Sequence, residues 1–185
     1  MNVFELGLLQ NLHNAIGSPT LDTIMSCITL FCEGGVFWIA LAAIFLLTKR
    51  YRRTGLSMGI ALLIGVIVIN VIVKNVVARV RPYDMDAATY YLASWIPRPT
   101  DYSFPSGHAL ACFEVLAVLF LRERKPFGWI TLVIAFLVSF SRMYLCVHFP
   151  TDVLAGAAFG TVIGIFGVFL GDKLYAYLAK RIKGF

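Results

Sequence analysis

Several features that often identify a protein are missing from this chain. None of its four cysteines, Cys27, Cys32, Cys112 and Cys146, forms a CxxC pair, and most lie inside apolar runs, so they read as small packing residues. The opening residues, MNVFELGLLQ, carry no positive charge and no small-residue cleavage site. That excludes a cleaved signal peptide and leaves targeting to the first spanning helix. No internal repeat and no low-complexity stretch is present. Charge is sparse, at 14% of the 185 residues, while hydrophobic residues make up 59%. Soluble domains are nearer ~45–50% apolar, so this composition, with a mean hydropathy of +0.82, excludes an ordinary soluble domain.

What is present is a series of apolar runs. Five candidates fall at 21–48, 54–78, 106–121, 127–145 and 152–172, where a bilayer-crossing helix takes about 20 residues. The third is short, roughly 24 Å of helix at ~1.5 Å per residue, which leaves its Ser106 end at or just below the headgroups. Ahead of them, residues 3–16 place Phe4, Leu8, Leu9, Leu12 and Ile16 near one helical face, with Glu5, Asn11 and His13 mostly elsewhere. GSPTLD then breaks that segment, and Pro19 and Asp22 are helix-start signals. The expected fold is all-α: a polytopic membrane helical bundle of about five to six transmembrane helices with an N-terminal amphipathic interfacial helix, in a single domain over 1–185. In the last run Gly156, Gly160 and Gly164 recur every four residues, followed by Gly167 and Gly171. Small residues at that spacing let helices approach closely, inside the bundle or across a homodimer face.

The net charge of +6 does not call for nucleic acid, because Lys and Arg collect on the cytoplasmic loops of membrane proteins. With five spans, Lys49, Arg50, Arg52, Arg53, Arg122, Arg124, Lys125, Lys173, Lys180, Arg181 and Lys183 share one side, which is therefore cytoplasmic. Lys74, Arg79, Arg81, Arg98 and Arg142 fall on the other side, where positive charge should be rare and needs a separate reason. The longest break, 79–105, holds Pro82, Pro97, Pro99 and Pro105 and cannot be one helix. Within it TYYLASWI reads as a short helix lying on the membrane, with Tyr90, Tyr91 and Trp95 at the interface.

Three stretches face that outer side. Lys74 and Arg81 are two helical turns apart, so a continued helix puts both on one face, where they suit an anion. Pro105, Ser106, Gly107 and His108 open the third helix. A helix N-terminus offers free N–H groups to an anion, Gly107 permits close approach, and Ser106 can cap the helix or donate to a phosphate oxygen. Arg142 ends the fourth span, and His148 and Asp152 stand i, i+4, so the carboxylate can accept from the imidazole and fix its tautomer. Each stretch alone has a plainer reading: snorkelling anchors, an ordinary N-cap, an interfacial histidine. Together they converge on a phosphate site. A metal site fits poorly, with two outer histidines, one carboxylate near them and cations all round.

These residues resemble the type 2 phosphatidic acid phosphatase superfamily, whose pattern is K-x6-R-P, then P-S-G-H, then S-R-x5-H-x3-D. Lys74, Arg81 and Pro82 match the first part, Pro105 to His108 the second, and Ser141, Arg142, His148 and Asp152 the third, all within 74–152. The resemblance implies a membrane lipid phosphatase without metal or organic cofactor. His148 would be the nucleophile, Asp152 its support and His108 the proton donor and later acceptor. Lys74, Arg81, Ser106, Gly107 and Arg142 would hold the phosphoryl oxygens. Its partners would be a membrane lipid and phosphate, its place the cell membrane, and its site the extracytoplasmic side. Undecaprenyl pyrophosphate and phosphatidylglycerol phosphate are the leading substrate types. A phosphotransferase using the same intermediate, or a non-enzymatic lipid transporter or binding protein on this scaffold, are the alternatives. Glu33 and Glu114 sit inside spans, where ionisable groups are costly. Glu114, six residues below His108, pairs structurally or tunes the pocket.

Overall fold

The computed structural model describes residues 2–86, 89, 95–123 and 125–181. Tyr90, Tyr91, Arg124 and Lys183, named above, lie outside them. The regular elements among the described residues are all helices, with no strand.

Helix α1 (Asn2–Ile16) is amphipathic in an unexpected sense. Val3, Phe4, Leu8 and Ile16 face outward, while Leu9 and Glu5 are buried. Leu9 therefore leaves the apolar face on which its spacing placed it, and the carboxylate turns into the protein. Helix α2 (Pro19–Phe31) starts at the foreseen signals: the Ser18 hydroxyl accepts the Leu21 N–H, and Pro19 opens the first turn.

The first expected span is not one helix. A 3-10 turn, Glu33–Gly35, separates α2 from α3 (Val36–Leu47), with Gly34 at φ 60° and Gly35 at φ 70°. Only glycine adopts that backbone freely, and the bend leaves Glu33 at the corner. The second span begins as α4 (Arg52–Ile64), passes through a π-helical stretch, Gly65–Val73, and ends in the single turn α5 (Lys74–Val77). Ala78, at φ 47°, stops it.

Helix α6 (Gly107–Arg122) is the centre of the bundle. Along it Ala109, Cys112, Val115 and Val118 have no exposed surface. Helices α7 (Phe127–Tyr144) and α8 (Pro150–Arg181) pack against it, and α8 runs nine residues past the span expected to end at 172. The α8 glycines explain the fit. A Cβ on Gly156 would stand 2.5 Å from the Ser106 carbonyl oxygen, and one on Gly164 2.5 Å from that of Glu114. Gly167 and Gly171 meet α4 in the same way at Ala61 and Ser57. The glycine stripe is thus filled within the bundle rather than offered to a second copy.

Among the described residues four helical units, Pro19–Leu47, Arg52–Asp84, Phe127–Tyr144 and Pro150–Arg181, are long and apolar enough to cross a membrane. Helix α6, at 16 residues, is shorter and enclosed by its neighbours. The side chains facing away from the bundle are apolar, among them Ile39, Leu63, Val133, Phe136, Leu154 and Val162, as lipid contact requires. At the α6 C-terminal end Arg53 and Arg122 both pair with Asp172, tying α4, α6 and α8. The candidate site lies at the other end.

Candidate active site

Two non-glycine residues with positive φ, Ala78 (47°) and Cys146 (53°), flank the site. Such residues are uncommon and concentrate where surrounding structure holds them. Ala78 ends the second span, so Arg79 to Arg81 leave the helix. Lys74 and Arg81 therefore do not share a continued helical face; Arg81 is extended, at φ −80° and ψ 155°. They meet through Asp101 instead. Its carboxylate takes an ion pair from Lys74, and its Oδ1 accepts from Arg81 Nη2 at 2.6 Å. Arg81 also donates from Nε to the Asp101 carbonyl (2.8 Å) and from Nη1 to the Val147 carbonyl (2.8 Å).

Cys146 turns the chain between α7 and α8 and delivers His148, which is 1% exposed. The ring's Nε2 stands 3.2 Å from Arg81 Nη1. A guanidinium has donors only, so Nε2 accepts and the ring proton belongs on Nδ1. Nδ1 faces Asp152 Oδ2 at 3.6 Å. The lone pair thus sits on the nitrogen beside the cations. Burial first, and then the charges of Arg81, Arg142, Lys74 and His108, push the His148 pKa well down, so the ring is neutral at pH 7.

One cavity of about 260 Å³ is lined by Lys74, Arg81, Gly107, His108, Arg142 and His148, six of the eight residues predicted from sequence. The other two stand behind them. Ser106 caps α6, accepting from the Ala109 N–H, and its own N–H donates to the Asp152 carbonyl at 3.0 Å. Asp152 backs His148. Arg142 donates from Nη1 to Thr29 Oγ1 at 2.6 Å. Its Nε, like His108 Nε2 and Asn70 Oδ1, has no hydrogen-bond partner among the described residues, so the cavity carries free polar atoms. Among the described residues no cluster of three or more His, Cys, Asp or Glu is gathered for a metal ion.

Asp101 and Ser103 escaped the sequence reading, which named Arg79 as an outer cation and Glu33 and Glu114 as ionisable groups inside spans. Asp101 neutralises the cation pair. Burial raises its pKa, but the Lys74 hydrogen bond and the Lys74 and Arg81 charges outweigh that and bring it to about 2. Ser103 Oγ donates to Asp152 Oδ2 (2.5 Å), as does the Phe149 N–H (2.9 Å). Arg79 Nη1 donates to Asp152 Oδ1 (2.5 Å). The only signal for Arg79 was its place among the unexplained outer cations. Glu33, at the α2–α3 bend, has Oε2 3.4 Å from His108 Nε2 and lines the cavity. Glu114 also lines it; a Cβ on Gly65 would run into its carboxylate, so the π-helical stretch leaves it room.

The motif order, the shared cavity and the His148 tautomer all fit one family. The PAP2 superfamily profile matches residues 54–174, well over half of the sequence. This chain belongs to the PAP2 superfamily. An undecaprenyl-diphosphatase of Sulfolobus acidocaldarius is 40% identical over 131 residues, 71% of this chain and 62% of that protein, so the match spans under two thirds of that relative's length. Phosphatidylglycerophosphatase B of Bacillus subtilis is 32% identical over 159 residues, 80% of this chain and 74% of that one. Among solved structures, a transmembrane PAP2-type phosphatidylglycerolphosphate phosphatase from Bacillus subtilis superposes with a TM-score of 0.69 at 27% identity, covering 97% of this chain and 88% of that one. These three relatives are named as phosphatases.

Proposed function

We propose that this PAP2 protein hydrolyses a lipid phosphate or pyrophosphate, of the undecaprenyl pyrophosphate or phosphatidylglycerol phosphate type, through a phosphohistidine at the extracytoplasmic face of the cell membrane. The observation that carries this is the sharing of one cavity by His108 and His148 with Lys74, Arg81 and Arg142.

The geometry supports the following steps. Phosphoryl oxygens enter among Lys74, Arg81, Arg142 and the Gly107 N–H and draw Arg81 Nη1 away from His148 Nε2. The freed lone pair attacks phosphorus. A P–N bond forms as the P–O bond to the leaving group breaks, and the leaving oxygen takes a proton from His108. Asp152 supports the charge that appears on the His148 ring through Nδ1–H. Water then attacks phosphorus, His108 takes its proton, the P–N bond breaks with its electron pair returning to Nε2, and phosphate departs. Ile39 and Val66 line the same cavity and are 56% and 51% exposed on the lipid-facing side. An amphiphile can therefore place its phosphate at the cations and its tail among the helices. The outer location rests on the basic residues gathered at the opposite ends of the spans.

The test is release of inorganic phosphate from a panel of lipid mono- and pyrophosphates by the detergent-purified protein. Wild type should release phosphate and trap an acid-labile labelled protein from radiolabelled substrate, while His148→Ala should do neither. Equal release by His148→Ala would remove the nucleophile and the proposal with it. Product analysis with an added acceptor alcohol separates hydrolysis from transfer.

A further inference from the structure

We propose that the N-terminal helix belongs to the catalytic apparatus: Glu5 on α1, acting through Arg79, is a positioning residue for the Asp152 carboxylate behind His148. This rests on the phosphatase reading above and adds to it residues outside the motif.

Buried contacts run without a break from α1 to Asp152. Glu5 and Asp152 are 4% and 0% exposed, and Arg79 stands between them. Arg79 Nη2 donates to Glu5 Oε2 (2.5 Å), and its Nη1 donates to Asp152 Oδ1 (2.5 Å) and Thr151 Oγ1 (2.7 Å). The other Glu5 oxygen accepts from the Thr151 N–H (2.9 Å) and hydroxyl (2.7 Å). The guanidinium lies 4.1 Å from the centre of the Phe149 ring, next in sequence to His148. Two buried carboxylates this close need a cation between them, and only a planar fork can bond both at once. Burial raises the Glu5 pKa, but the Thr151 and Arg79 hydrogen bonds and the Arg79 charge outweigh it and keep Glu5 ionised.

The consequence lies at Asp152. Ser103 and the Phe149 N–H occupy Oδ2, and Arg79 occupies Oδ1. The carboxylate cannot rotate, so its edge stays presented to His148 Nδ1. The positive charge of Arg79 also tempers how strongly Asp152 favours a proton on that ring, and Glu5 in turn tempers Arg79. On the other face of the same helix, Val3 and Phe4 are 79% and 73% exposed, suited to the lipid interface. The seat of α1 on the membrane is thereby joined to the catalytic carboxylate.

The alternative is a tie that merely holds α1 to the start of α8. The two differ in sign. The acid limb of the kcat/KM profile reports the His148 ring. That ring faces Arg81 and Lys74 from the second span and its end, Arg142 from α7, His108 from α6 and Asp152 from α8, with Asp101 paired to the first two. None of these changes in the variants. Arg79→Gln removes the cation on Asp152, so the limb should move to higher pH. Glu5→Gln removes the anion that balances Arg79, so the limb should move to lower pH. Arg79→Lys keeps the charge and loses the fork, so the limb should stay while kcat falls, by about 10- to 100-fold for a misplaced supporting group.

The assay is phosphate release from farnesyl pyrophosphate and phosphatidic acid in mixed micelles across pH 5–9, with thermal unfolding in detergent to confirm folded protein. Opposite shifts of the two limbs establish the proposal. Unshifted limbs, or shifts in one direction, overturn it and leave a structural tie. Should Arg79→Gln fail to fold, the direction of the Glu5→Gln shift decides alone. A wild-type protein that releases no phosphate from any lipid defeats the underlying reading, and the inference with it.

Discussion

In the proposed mechanism, phosphate binding requires a carboxylate to leave. Asp101 bonds both Lys74 and Arg81, the two cations placed to receive phosphoryl oxygens. Replacing it with Asn removes the competing charge and keeps the shape. The Asp101 side chain is 52% exposed, so both ion pairs are screened by solvent, and measured exposed pairs contribute about 0.2–1 kcal/mol each. Two such pairs give roughly 0.4–2 kcal/mol, an expected gain in phosphate or vanadate affinity of about 2- to 30-fold. Arg81 should hold its place in the variant, because the Asp101 and Val147 carbonyls still accept its Nε and Nη1. Acid does not open the site at working pH. The depressed pKa, about 2, means that Asp101 contributes stability above the ordinary carboxylate pKa and loses it only as pH falls through about 2. Between pH 5 and 9 the ligand must therefore displace a charged group. The assay is competitive inhibition of phosphate release by vanadate and inorganic phosphate, wild type against Asp101→Asn. A higher inhibition constant in the variant would refute the reasoning and make Asp101 an organiser of the cations rather than an occupant of the phosphate's place.

Glu33→Gln should slow hydrolysis of alkyl phosphates by about tenfold, the low end of general acid–base contributions, and leave lipid substrates with an aryl-phosphate leaving group within about threefold. The Glu33 carboxylate faces the nitrogen of His108, and a good leaving group needs no proton; equal losses on both would dismiss that coupling. Gly164→Ala forces a Cβ to within 2.5 Å of the Glu114 carbonyl oxygen and 2.7 Å of the Ala117 Cβ, an overpacking worth about 1–3 kcal/mol, seen as a lower midpoint of thermal unfolding in detergent. His148, held neutral by burial and nearby cations, contributes stability above the ordinary imidazole pKa of about 6.5 that fades as pH falls below it. Unfolding midpoints at pH 5 and 7 should differ less in His148→Gln than in wild type.

The helical frame and the motif residues could be read from sequence for different reasons. Long apolar runs with few charges leave little choice but spans, and the residues from Lys74 to Asp152 keep a fixed order and spacing. What could not be read depends on backbone detail and on partners far away in the chain. Gly34 and Gly35 lie inside an apolar run, so hydropathy gives no sign that the run bends there and turns Glu33 into the cavity. The spacing of α1 placed Leu9 with Phe4 and Leu8 but could not tell that the protein lies on the Glu5 side. Lys74 and Arg81 reach the same place, though not by the continued helix that their spacing implied, because Ala78 breaks it. Asp101 sits in a proline-rich break with no periodicity to orient it. Arg79 was visible only as a charge on the wrong side.

Those misplaced charges form a balanced set. Near the cavity four cations, Lys74, Arg79, Arg81 and Arg142, face four carboxylates, Glu5, Glu33, Asp101 and Asp152. These eight groups together carry no net charge, which is how so many ionised groups can stand at the edge of an apolar bundle. A phosphate dianion upsets that balance. Moving Asp101 aside accounts for one of the two added charges, and the remaining one is matched only if a proton comes with the substrate. His108 is placed to hold it, with a free Nε2 in the cavity and the Glu33 carboxylate beside it. In the proposed mechanism His108, the donor to the leaving group, thus gains its proton for the same electrostatic reason that the phosphate binds. The uneven division of labour between the two histidines then follows from position. His148 is neutral because burial and the nearby cations outweigh Asp152, and in the proposed mechanism His108 is protonated on demand with the Glu33 carboxylate beside it.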